Sequence, residues 1–123
     1  MKKTKMLKKN YEFRKVLTKG KYFSGKYIEC FILKNNTKYN FLGLAVSRKT
    51  GKAVVRNHIK RLLRENYKNI EMSIKDGYSF VFLFKKKADV KEANFYNFKE
   101  DINIIINKSQ LNRENIWKKY LLV

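Results

Sequence analysis

The chain has 123 residues, a length that fits one compact domain with a single core and leaves little room for a second. Its 30 lysines and arginines against 10 aspartates and glutamates give a formal net charge of +20, which works against compactness and points to a polyanionic partner, nucleic acid first and an anionic membrane second. At 44% hydrophobic and 15% aromatic it is too apolar for a disordered basic tail, and its lone cysteine, Cys30, excludes an intrachain disulfide and a cysteine-built metal site.

The opening "MKKTKMLKKN" is basic, and no apolar run of signal-peptide length follows it. Nothing later approaches the ~18 apolar residues of a membrane span, so a cytoplasmic protein without membrane contact is expected. "NYEFRKVLTKG" predicts a short amphipathic helix with Asn10 as N-cap, Glu12 in the first turn, Phe13, Val16 and Leu17 on one face, and Gly20 as the stop. "KYIECFIL" alternates, with Ile28, Cys30 and Ile32 on a core face and Tyr27, Glu29, Phe31 and Leu33 on a half-open one. Residues 35–40, "NNTKYN", predict a hairpin-like turn into "FLGLAVS", whose core face is Leu42, Leu44 and Val46. Two small residues, Gly43 and Ala45, leave space on its other face. "YSFVFLF", residues 78–84, is apolar on both faces and reads as a central strand. "NFYNFKEDINIIINK" places Phe95, Phe98, Ile102, Ile105 and Ile106 at helical spacing. In the tail from Gln110, Trp117 and Tyr120 are expected to cover the core. With no proline, repeat or low-complexity segment, the whole chain, 1–123, reads as a single α+β domain.

The segment "GKAVVRNHIKRLLREN", residues 51–66, stands apart. At about 100° per residue, Val55, Ile59, Leu62 and Leu63 gather on one side and Arg56, Asn57, Lys60, Arg61 and Arg64 on the other. A solvated helix face normally mixes both signs of charge. Here the acid inside the helix, Glu65, follows Arg61 by four residues, the weaker orientation for an ion pair. Moreover Arg48, Lys49, Lys52 and Arg56 lie before or in the first turn, where the helix dipole disfavours cations by a few tenths of a kcal/mol or more each. Free backbone N–H groups, the dipole and guanidinium forks at one helix end all favour a phosphate, so the charge is placed for a nucleic-acid backbone.

Motifs for self-contained chemistry fail. "TGKAV" lacks the earlier glycine of a phosphate loop, Val46 standing there, and Ala53 replaces the hydroxyl residue that would hold magnesium. His58, the sole histidine, has neither a second ligand nor an evident nucleophile beside it. No catalytic residue, protein-bound metal site or small-molecule substrate is expected.

"AVVRNHIKRLLRE", preceded by "LGLAVSRKTGK", resembles the motif of the bacterial ribonuclease P protein family, and "LKKNYEFRKVLTKGK" resembles that family's opening. The likeness covers most of residues 7 to 84. It implies a single α+β domain with a sheet of about four strands, packed with helices and containing a left-handed β-α-β crossover. It implies a role in removing the 5′ leader of precursor tRNA, with phosphodiester hydrolysis carried by a catalytic RNA and its magnesium. By the same resemblance, Arg56, Asn57, Lys60, Arg61 and Arg64, with Arg48, Lys49 and Lys52 before them, face the catalytic RNA. Phe13, Leu17 and Phe31 line a cleft for the single-stranded leader. Two positions depart from the pattern: His58 replaces the second arginine of Arg-Asn-Arg, and Leu17 an aromatic. A ribosomal protein and a DNA-binding regulator using the basic helix in a major groove are the rival readings.

Overall fold

The computed structural model describes residues 3–113. They form, in chain order, β1 (Thr4–Met6), α1 (Asn10–Lys19), β2 (Lys21–Ser24), β3 (Ile28–Lys34), β4 (Asn40–Ala45), α2 (Ala53–Ile70), β5 (Tyr78–Phe84) and α3 (Phe95–Ser109). The strands make one mixed sheet in the order β1-β4-β5-β3-β2. β4 runs parallel to both β1 and β5, while β3 runs antiparallel to β5 and β2. α2 joins β4 to its parallel neighbour β5, which is the strand-helix-strand crossover implied by the resemblance.

Apolar alternation decides which layer each strand face joins. On one side Cys30, Ile32, Leu42, Leu44, Phe80 and Phe82 meet Ile59, Leu63 and Tyr67 of α2 and Phe98, Ile102, Ile105 and Ile106 of α3. The Tyr67 ring packs edge-on against Phe80 and Phe82, with centroids 5.9 and 6.5 Å away. Its hydroxyl shares a 2.7 Å hydrogen bond with the Thr4 hydroxyl, tying β1 to α2, and burial pushes its pKa up to about 12. Burial also holds the Cys30 thiol well above the usual range, as an inert core residue. On the reverse face Val81 packs with Val16 of α1 and with Leu7 in a smaller cluster. β5 is central because both of its faces must be covered, as its sequence predicts.

That central placement corrects the expected hairpin. β5 inserts between β3 and β4, so these two consecutive strands do not pair. Residues 35–39 still turn, with Asn36 at φ 58° and the Asn35 side chain accepting the Thr37 N–H at 2.9 Å. The sheet has five strands rather than about four, because β1 and β2 are short, lysine-bearing edge strands with little periodicity of their own. β1 is recruited by parallel pairing with β4, extended by a 2.8 Å bond from Leu7 N to Leu42 O. Asn10 lies inside α1, not at its cap. Glu12 instead accepts the N–H groups of Lys9 at 2.9 Å and Lys8 at 3.3 Å. Val46 lies past the end of β4, half-buried against the core.

One buried charge locks the β2–β3 turn. Asp101 of α3 accepts the N–H of Lys26 at 2.9 Å through Oδ1, and those of Tyr27 and Ile28 at 2.6 and 3.0 Å through Oδ2. A Cβ on Gly25 would lie 2.5 Å from its carboxyl carbon, so this approach requires glycine. Beyond α3, Leu111 is buried and Asn112 bridges to Ile74. Trp117 and Tyr120 lie outside the described residues.

Candidate nucleic-acid interface

α2 begins with no acidic residue in its first turn and no side-chain cap, so its leading N–H groups are left for another acceptor. Before it, Arg48–Thr50 form a single 3-10 turn, started by the Ser47 hydroxyl accepting from Lys49 N at 3.3 Å. Arg56 folds back to donate to the Gly51 carbonyl at 2.9 Å, fixing this turn against the helix. Arg48, Lys49, Lys52, Asn57 and Arg61 are exposed, while Arg56, Lys60 and Arg64, four residues apart, are half-buried along the border with the core face. His58 is exposed beside them. The Arg61–Glu65 pair does form, at 3.1 Å, but Arg61 remains 73% exposed, so the pair contributes at most about 1 kcal/mol. The eight predicted positions thus share one helix and the turn leading into it.

The second predicted set converges on the opposite face of the sheet. Register places Gly43, Val81, Phe31 and Tyr22 in one row across β4, β5, β3 and β2, with Ala45, Leu83, Glu29 and Ser24 in the next. α1 lies over this face. The space expected above Gly43 is taken by Phe13, whose Cε1 would stand 2.6 Å from a Cβ there. Phe13, Leu17 and Phe31 are all half-buried around the Val16–Val81 cluster. Tyr22, which the sequence reading missed, extends the cleft. Its ring lies 5.2 Å from that of Phe31, it is 51% exposed, and its hydroxyl donates to Glu29, a bond that raises its pKa. The available signal was the alternation in "KYFS", which puts Tyr22 and Phe23 on opposite faces.

The two surfaces lie on opposite faces of the sheet, and the Arg48 turn follows the C-terminal end of β4. Among the described residues no three His, Cys, Asp or Glu side chains come together as metal ligands, and no helix is long and apolar enough to cross a membrane. Fold and surfaces define a small basic α+β protein that presents a cationic helix on one side of its sheet and an aromatic cleft on the other.

The Ribonuclease P family profile matches residues 1–110, and the chain belongs to the ribonuclease P protein family. It is 40% identical over 109 residues to the ribonuclease P protein component of Clostridioides difficile, spanning 88% of this chain and 94% of that one. The Thermotoga maritima ribonuclease P protein superposes with a TM-score of 0.74 at 28% identity, over 84% of this chain and 96% of the other. The Staphylococcus aureus protein shares the fold, with a TM-score of 0.76 at 24% identity over 88% and 97%.

Proposed function

We propose that this chain is one RNA-binding domain that assembles with the catalytic RNA of ribonuclease P and presents precursor tRNA to it for removal of the 5′ leader. The observation that carries this reading is the division of labour between two faces: a cationic helix with an uncapped N-terminus on one, an aromatic cleft on the other. Arg48, Lys49, Lys52, Arg56, Asn57, Lys60, Arg61 and Arg64 contact phosphates of the catalytic RNA. If six of these cations each displace a counterion, the logarithm of affinity falls with log salt at a slope of about −5. Phe13, Leu17 and Phe31, extended by Tyr22, take the single-stranded leader, because flat rings stack on any base and bind with little sequence preference.

In this reading the protein supplies positioning and charge neutralisation between two polyanions, not a nucleophile or general base. Magnesium is assigned to the RNA subunit in this reading, as the family resemblance implies. The complex works in the cytoplasm. Family membership favours this reading over the ribosomal and DNA-binding rivals. The test compares Arg56→Ala/Arg61→Ala with Phe31→Ala. The double variant should lose affinity for the catalytic RNA. Phe31→Ala should keep that affinity but lose the preference of the assembled enzyme for leader-bearing over mature tRNA. Equal effects of both on RNA assembly would sink the two-surface reading.

A further inference from the structure

At the end of the sheet away from the Arg48 turn, a groove of about 390 Å³ opens beside the edge strand β2. Lys19, Lys21 and Lys34 surround it, Phe23 and Tyr78 contribute rings, and Ile32 lies in its floor. Among the described residues, no carboxylate lines it. An apolar floor with aromatic walls and a rim of three cations complements a nucleotide, whose base is flat and whose phosphate is negative. The groove is on the α2/α3 face, because Lys21 pairs across from Ile32 and Phe23 from Cys30. Tyr22, between them in sequence, points to the cleft face, where it pairs with Phe31. β2 therefore carries an aromatic surface for the cleft on one side and a cation and a ring for the groove on the other, with a single residue's step between them.

We propose that the RNA strand held in the α1 cleft continues around the β2 edge into this groove, so that the protein grips a longer single-stranded segment than the cleft alone. The proposal rests on the cleft reading for its starting point and adds Lys19, Lys21, Lys34, Phe23 and Tyr78 as contacts for the distal part of the strand.

The test uses the full chain and fluorescently labelled oligouridylates of about 5 and about 12 nucleotides, lengths spanning a typical single-strand site. Their affinities are measured against salt for the parent chain, Lys19→Ala/Lys21→Ala/Lys34→Ala, the charge-matched control Lys68→Ala/Lys75→Ala/Lys91→Ala, and Phe31→Ala. The groove variant should lose the extra affinity for the longer strand and lower its salt slope by about 2, three contacts at roughly 0.7 each. The control should retain both, and Phe31→Ala should weaken both lengths. Groove variant and control falling equally, with Phe31→Ala still weakening both lengths, would overturn the groove and leave the cleft standing. Phe31→Ala without effect on either length would overturn the cleft reading beneath it. Ring protons of Phe23 and Tyr78 that contact Trp117 or Leu121 in the free protein, and do not shift with the longer strand, would assign the groove to the chain's own last residues and overturn the proposal.

Discussion

Replacing Asp101 with alanine removes the shared acceptor of three backbone N–H groups, those of Lys26, Tyr27 and Ile28. Asp101 is 2% exposed, and Ile28 beside it is fully buried. Hydrogen bonds to a charged group are worth about 1.5–3 kcal/mol each when counted singly. The three share one carboxylate and are not additive, and water can reach the exposed Lys26 end. With the carboxylate gone, the N–H groups of half-buried Tyr27 and buried Ile28 are left without an acceptor at about 1–3 kcal/mol each, so a loss of about 3–5 kcal/mol is expected. Against a typical total of 5–15 kcal/mol this is a large fraction. Urea unfolding followed by far-UV circular dichroism measures it, the midpoint falling with little change in slope. Gly25→Ala, which drives a Cβ into the same carboxylate, should cost much less in the Asp101→Ala background than alone. A loss below about 1 kcal/mol, or full additivity of the two changes, would refute the idea that this carboxylate holds the β2–β3 turn in place.

Gly43→Ala should push the Phe13 ring off the sheet. Overpacking of this kind costs about 1–3 kcal/mol, and leader-dependent binding should weaken while affinity for the catalytic RNA is kept. Binding of precursor and mature tRNA by the assembled enzyme reads this out. Tyr67 supplies an alkaline signature. Its phenol ionises near 10 in the unfolded chain and only at about 12 in the folded one. The unfolded state thus sheds its proton first, and stability falls as pH rises from about 10 to about 12. Tyr67→Phe, which also gives up the Thr4 hydrogen bond, should start less stable near neutral pH by about 1 kcal/mol and show a shallower alkaline decline by urea titration.

Elements whose own side chains set their surroundings were legible in the sequence. The two-sided apolar run of β5 predicted a central strand, and the faces of α2 and α3 followed helical spacing closely. What escaped depends on distant partners. β1 is three residues, two of them polar, and is a strand because β4 accepts it. β3 and β4 read as a hairpin because the strand that separates them lies more than thirty residues further along. Asp101 gives no local sign of its role, since its partners are 73 to 75 positions away. The cationic helix was readable because a broken local rule, cations at the positive end of a helix, needs no partner to be noticed. The cleft needed the resemblance, since Phe13 and Leu17 on a helix and Phe31 on a strand read equally well as core.

The central claim is that the chain assists an RNA that performs the cleavage. Its most direct test is 5′-leader removal from a precursor tRNA by a bacterial ribonuclease P RNA at low magnesium, with the purified chain, without it, and with the chain alone. The account predicts cleavage at the mature 5′ end only when RNA and chain are together. Cleavage by the chain without RNA, or no stimulation of a matched RNA by the folded chain, would contradict it.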